Sequence, residues 1–159
     1  MADLPEIMDA NLPMSIDSQT VFPWLSLIVL LPALGALIMP FLPTQENKNS
    51  NLPRNISLVI LFSDFLIIVG AFANLFDPSS ESLQLVERLQ WLPSIGLEWS
   101  LGVDGISAPL VVLSGLITLL SAAASWKVKQ KTRLYFALLL IQASAQALVF
   151  LSQDFLLFF

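Results

Sequence analysis

The chain of 159 residues contains no cysteine and no histidine. It therefore offers neither thiolate nor imidazole, the usual ligands of an iron–sulfur cluster, a haem or a structural zinc. No cofactor is expected on this chain, and any redox chemistry belongs to partner chains. Charge is also scarce. Only 12% of residues are Asp, Glu, Lys or Arg, against about 25% in an ordinary soluble domain. Hydrophobic residues make up 56%, and mean hydropathy is +0.79, which places the chain among membrane proteins. No basic patch with interleaved aromatics occurs, so nucleic acid is not an expected partner. The first twenty residues, MADLPEIMDANLPMSIDSQT, hold four acids and no Lys or Arg. A secretory signal needs a basic n-region, so no cleavage is expected.

What is present is a set of long apolar runs. Four segments, 22–42, 56–76, 106–126 and 134–151, approach the roughly 20 helical residues that cross a hydrocarbon core of about 30 Å. Lipid offers no partner to an open backbone, so each is expected to be a helix. The first contains Pro32 and Gly35, which predict a kink supported by neighbouring helices. Lys and Arg set the orientation. The N-terminal tail has none, QENKNSNLPRN has Lys48 and Arg54, the long loop after Phe76 has only Arg88, and KVKQKTR has Lys127, Lys129, Lys131 and Arg133. An outside, lumenal N-terminus follows, with the first and third loops cytoplasmic and the basic run read as a solvated orientation signal. Trp24 and Trp126 fall where an amphipathic indole prefers the interface.

The long outer loop has its own pattern. Leu83, Leu85, Leu89 and Trp91 alternate with Gln84, Arg88 and Gln90, and beyond PSIG the residues Leu97, Trp99, Leu101 and Val103 alternate with Glu98, Ser100, Gly102 and Asp104. Period two on both sides of a turn predicts a β-hairpin over 83–104. A lone hairpin is marginal in water, so its apolar face is expected on the membrane helices or a neighbouring subunit, and its acidic face toward the lumen. Asp104-Gly105 then turns the chain, and Ser107 with Pro109 reads as a helix start. The expected fold is thus an all-α polytopic membrane protein. It has four transmembrane helices and the start of a fifth, with a lumenal hairpin between the second and third and a lumenal N-terminal extension over 1–21.

Polar residues inside the spans are the candidate site. Asp64, in LFSDFLII, is the charged residue well inside a span. Such a carboxylate costs about 2.5 to 3.5 kcal/mol on insertion scales and usually faces a bundle interior or a water-filled path. One reading makes it a step on a proton route; the other makes it a neutral side chain bonded to a neighbouring helix, with Ser57 on the same face. In the third span Ser114, Thr118, Ser121 and Ser125, flanked by Gly115 and Ala122, suit close helix packing with bonds across the gap, or else a hydrated wall. In the fourth, Gln142 and Gln146 lie one turn apart, with Gln153 further along, as interhelical glue or as holders of ordered water. Asp154, ahead of FLLFF, suits the N-cap of a fifth helix or the mouth of an ion path.

Taken in order, LEWSLGVDGISAPLVVLSGLITLLSAAASW, a basic loop, an apolar helix and QDFLLFF resemble the N-terminal part of the antiporter-like subunit 4 of NAD(P)H:quinone oxidoreductase, of the complex I family and cyanobacterial or plastid type. The likeness runs from about Phe22 to Phe159. It implies a larger polytopic subunit in the membrane arm, with a lumenal N-terminus and hairpin, in a thylakoid membrane. It implies coupling of quinone reduction, done elsewhere in the complex, to proton transfer. Plastoquinone, NAD(P)H or ferredoxin, and iron–sulfur clusters are implied for the complex, and other membrane-arm and redox subunits as partners. In the family DFLLFF is followed shortly by a Trp-Glu motif whose Glu is the key carboxylate. Here the sequence ends first, and every Lys lies in a loop, so no catalytic residue is expected among those present and the chain reads as an N-terminal portion. A subunit of a multi-protein cation/proton antiporter and a non-catalytic four-helix structural or assembly subunit are the alternatives.

Overall fold

The computed structural model describes residues 22–42, 51–77, 83–92, 97–128 and 131–154. The N-terminal extension, Lys48, the PSIG turn, Lys129 and the FLLFF stretch lie outside them, as do the side chains of Leu89, Gln90, Trp91, Leu97, Glu98 and Trp126. Helix α1 spans Trp24–Ile38 and continues into a 3₁₀ turn, Met39–Phe41. Helix α2 spans Leu52–Leu75, strands β1 and β2 span Gln84–Leu92 and Leu97–Val103, and helices α3 and α4 span Ser107–Ala124 and Thr132–Leu151. All four helices are long and apolar enough to cross a membrane. Their outward residues fit that setting: Leu37 is 67% exposed and Phe41 87%. Side chains of that kind stay exposed where the solvent is lipid.

The ranges refine the expected spans. α2 begins at Leu52, four residues before the apolar run, because Asn51 and Pro53 suit a helix start: the proline lacks an N–H that would be orphaned there anyway. Arg54, expected in the loop, is therefore in the first turn of α2 and is buried. α1 runs through Pro32. The Val29 carbonyl, in the turn just before it, accepts a hydrogen bond from Ser144 Oγ of α4 at 2.7 Å. The bond ties α1 to α4 close to the proline.

α1 packs on α2 and α4, α2 on α3, and α3 on α4, with α2 and α4 meeting as well. Close approach is set by small residues. A Cβ at Gly35 would lie 2.7 Å from Ile60 Cδ1, so any larger residue there would make the Ile60 side chain move, and 3.5 Å from Leu140 Cδ1, an ordinary contact with α4. Ala122 and Ala147 are buried at the α3 and α4 contacts. The core has two parts. One, next to the hairpin, gathers Leu25, Ile28, Ile68, Val111 and Leu151 with Leu101 and Val103 of β2. The other gathers Ala36, Met39, Leu61, Ala122 and Leu140 toward the opposite end.

β1 and β2 form the expected antiparallel hairpin, with Glu87 opposite Leu101 and Leu89 opposite Trp99. Between the Gln84–Val103 and Glu87–Leu101 pairs β1 carries one residue more than β2, a bulge in which Leu85 takes φ 54°. The apolar face rests on the helices as expected, Leu101 and Val103 being fully buried against α1, α3 and α4. Glu87, which the alternation leaves unassigned, turns inward toward the start of α1. Beyond α4 the chain continues along β2: Leu101 and Ser152 form a bridge, the Gln153 amide donates to the Ser100 carbonyl at 2.9 Å, and Gln153 Nε2 to the Gly102 carbonyl at 3.3 Å.

Candidate functional site

Two polar constellations stand out, one at the hairpin end and one inside the bundle. At the first, α1 begins after Pro23, which supplies no side-chain cap. The unpaired N–H groups of a helix start need acceptors. They receive them from β1: Glu87 Oε1 accepts the Leu25 N–H at 2.7 Å, and Oε2 accepts the Ser26 N–H at 2.9 Å and the Ser26 hydroxyl at 2.5 Å. Trp99 Nε1 of β2 donates to Ser26 Oγ at 2.9 Å. A carboxylate at a helix N-terminus also meets the positive end of the helix dipole. The clamp ties the first membrane helix to the hairpin through both strands.

Sequence reasoning missed Glu87 because Val86-Glu87 interrupts the alternation. Strict period two from Leu83 nevertheless puts position 87 on the apolar face. A carboxylate there needs donors of its own, which is the signal that points to it.

α3 starts with a reciprocal cap. Asp104 Oδ1 accepts the Ile106 N–H at 3.0 Å and the Ser107 N–H at 2.6 Å, and Ser107 Oγ accepts the Asp104 N–H at 3.0 Å. The bond from the Ser107 amide, followed by that to its side chain, holds the exposed Asp104 carboxyl below its ordinary value of 3.8.

The second constellation is centred on Asp64, midway along α2. It is 5% exposed, and its Oδ1 makes no hydrogen bond among the described residues. Ser57, two turns earlier on α2, donates its hydroxyl to the Pro53 carbonyl at 2.7 Å, back into its own helix. Asp64 lines a small cavity of about 10 Å³ between α2, α3 and α4, whose other polar lining side chains are Ser114 and Thr118. Aliphatic Leu61, Ile68 and Val111 close it on the sides toward both core clusters.

The hydroxyl stripe of α3 does less across the gap than its spacing suggests. Ser114 donates to the Val111 carbonyl, Thr118 to Ser114, Ser121 to Ile117 and Ser125 to Ser121, all within the helix. Such back-bonding is the easiest partner for a hydroxyl one turn on. Two of the four also reach α4: Thr118 Oγ1 lies 3.2 Å from Gln146 Oε1, and Ser125 Oγ lies 2.7 Å from Tyr135 Oη. Thr118 has a single proton and makes its shorter bond, 2.8 Å, to the Ser114 carbonyl. Turning the Gln146 amide so that its NH₂ donates to Thr118 satisfies both contacts.

The structure thus brings together Asp64, Thr118 and Gln146, one from each of three helices. Gln142 is exposed on the outer surface of α4, away from this centre. Asp154 is half-buried beyond the end of α4, beside the hairpin, where its carbonyl accepts the Ser152 hydroxyl at 2.9 Å. Among the described residues no three of His, Cys, Asp and Glu converge, so these side chains form no ligand set for a metal or cluster.

Four apolar membrane helices, a hairpin laid on one end and a carboxylate at the centre define a polytopic integral membrane protein. Residues 27–151 match the family described as NADH-ubiquinone oxidoreductase chain 4, amino terminus, and the chain belongs to that family. It is 47% identical over 138 residues to NAD(P)H-quinone oxidoreductase chain 4 2 of Microcystis aeruginosa, covering 87% of this chain and 24% of that protein. It is 49% identical over 142 residues to NAD(P)H-quinone oxidoreductase chain 4 of Prochlorococcus marinus, covering 89% of this chain and 26% of the relative. The chain therefore spans about a quarter of the length of the curated relatives it matches. These names favour the quinone-oxidoreductase reading over the cation/proton antiporter and the assembly protein.

Proposed function

We propose that the chain is the amino-terminal portion of a membrane-arm subunit of a proton-translocating NAD(P)H- or ferredoxin:plastoquinone oxidoreductase, coupling quinone reduction on other subunits to proton transfer across the membrane. The family match over residues 27–151 carries this reading. Plastoquinone, the electron donor and the iron–sulfur clusters belong to partner subunits, and this chain supplies membrane helices. Within it Asp64, which shares a cavity with Thr118, itself in contact with Gln146, is the polar centre assigned to the ion path, and Asp154 marks the start of a fifth helix.

The assigned setting is a thylakoid membrane with the hairpin and N-terminus lumenal. Charge supports it: Arg54, Lys127, Lys131 and Arg133 gather at the end opposite the hairpin, and Arg88 alone of the described cations sits on the hairpin. Cytoplasmic or stromal loops carry the excess of Lys and Arg.

Purification of the full-length subunit in mild detergent tests the assignment. Co-migration with quinone-reducing, iron–sulfur-containing subunits supports it, and co-migration with cation-antiporter subunits alone overturns it. Residues 1–159 hold no native cysteine, so with any cysteine elsewhere in the subunit replaced, orientation is read by labelling. Arg88→Cys should react with an impermeant maleimide from the lumenal side only, and Lys131→Cys from the other side only. In the intact complex Asp64→Asn should lower proton translocation per quinone reduced. Unchanged coupling removes Asp64 from the path.

A further inference from the structure

We propose that the cavity between α2, α3 and α4 binds one water molecule, held between the Asp64 carboxyl group and the hydroxyl oxygens of Ser114 and Thr118. The volume selects the guest. About 10 Å³ is open to the centre of a water-sized sphere, which corresponds to a single water and is too little for an organic ligand.

The chemistry of the wall selects it as well. Asp64 is 95% buried by its 5% exposure, lines the cavity, and its Oδ1 accepts nothing from the described residues. The two hydroxyls beside it have already given their protons to backbone carbonyls, Ser114 to Val111 at 3.0 Å and Thr118 to Ser114 at 2.8 Å. Each therefore presents lone pairs to the space. The remaining lining side chains are aliphatic or absent, as at Leu61, Ala143 and Gly115. With Asp64 ionised, its carboxylate and the two hydroxyl oxygens line a space into which no lining side chain donates. A guest must bring the donors. Water brings two, one for the carboxylate and one for a hydroxyl oxygen, and still has lone pairs to spare.

The consequence is a continuous polar link, Asp64 to water to Thr118 to Gln146, crossing three helices. It joins α2 to α3, where the side chains themselves make no hydrogen bond at Oδ1. Gly115 shapes the opening, since a Cβ there would come within 3.0 Å of Ile68 Cδ1. The water occupies this space whether or not ions pass through the bundle.

The test uses the full-length subunit in the purified complex. High-resolution electron cryomicroscopy should show one density feature at hydrogen-bonding distance from the Asp64 carboxyl group and from a hydroxyl of Ser114 or Thr118. Infrared spectra should show an internal-water O–H band that shifts in H₂¹⁸O. Asp64→Leu should abolish both signals. Thr118→Val, which keeps the side-chain shape, should weaken or abolish them even if Asp64→Leu does not assemble. A dry site with the Thr118 hydroxyl turned directly onto Asp64 overturns the proposal. So does a feature that appears only with added sodium, which would mark a cation site. Normal proton coupling in Asp64→Asn with the water retained would sink only the ion-path reading, leaving the water site standing.

Discussion

At the hairpin end of the molecule the Glu87 carboxylate takes three hydrogen bonds of 2.5 to 2.9 Å from the start of α1, while in the middle of the bundle Asp64 Oδ1 takes none from any described residue. Both are acids turned toward protein rather than bulk solvent, yet they sit on opposite sides of an energetic divide. Glu87 meets donors that a helix start must leave over, so ordering it costs little beyond its rotamers. Asp64 meets aliphatic walls and hydroxyls whose protons are already committed. The hairpin end is built for cohesion, and the bundle centre keeps a polar group that cohesion does not need. Retaining such a group is the usual sign of a task other than packing.

The largest expected effect probes the first half of this contrast. Glu87→Ala strands two backbone N–H groups and the Ser26 hydroxyl, and should lower stability by about 2 to 3 kcal/mol, in line with charged hydrogen bonds and lost helix caps. Thermal unfolding of the detergent-solubilised protein measures it. Glu87→Gln, which keeps one acceptor, should lose roughly half as much.

The matching change in the interior should have the opposite sign. Asp64→Leu exchanges a residue that costs about 2.5 to 3.5 kcal/mol at a helix centre for one that inserts favourably, and even with most of the difference absorbed by the bundle it should stabilise by about 1 kcal/mol. A loss as large as that of Glu87→Ala would erase the contrast, because Asp64 would then be structural glue. The same melting assay decides it.

Smaller still is Thr118→Val, which removes the α3–α4 contact to Gln146 and should cost about 0.6 kcal/mol, the average for interhelical side-chain bonds in membrane proteins. The weakest effect concerns Asp104. Its carboxyl is held below 3.8 in the folded protein by Ser107, so the stability it adds is present above that value and is lost as pH falls through the lowered one. Because the group is exposed the change is slight. It should appear as an acid limb in a pH series of melting temperatures and vanish in Asp104→Ala.

How much of this could be read from residue order differs by scale. The membrane spans were legible because lipid imposes one solution on any long apolar run, and the hairpin because period two survives on both sides of its turn. Boundaries were blurred where apolarity and capping disagree: the run 56–76 is apolar, but Asn51 and Pro53 start the helix at Leu52 and take Arg54 into it. The bulge at Leu85 left no mark in composition, and Glu87 was hidden by its neighbour Val86. Asp64 was conspicuous as a lone charge, whereas its neighbourhood was not. Which of Gln142 and Gln146 would turn inward depends on helix rotation, and one turn apart they end on different surroundings, Gln146 against Thr118 and Gln142 exposed.

The Glu87 bond to α1 spans 61 to 62 residues of sequence, and this bears on how the protein is made. The ribosome delivers the first helix long before the acid that completes it, and a second helix must be threaded across the bilayer in between. Only if that second crossing succeeds does Glu87 arrive on the side where Trp24 and its neighbours wait. A chain in which α2 failed to cross would leave the two ends of the contact on opposite leaflets, so the finished bond serves as a check on that second crossing.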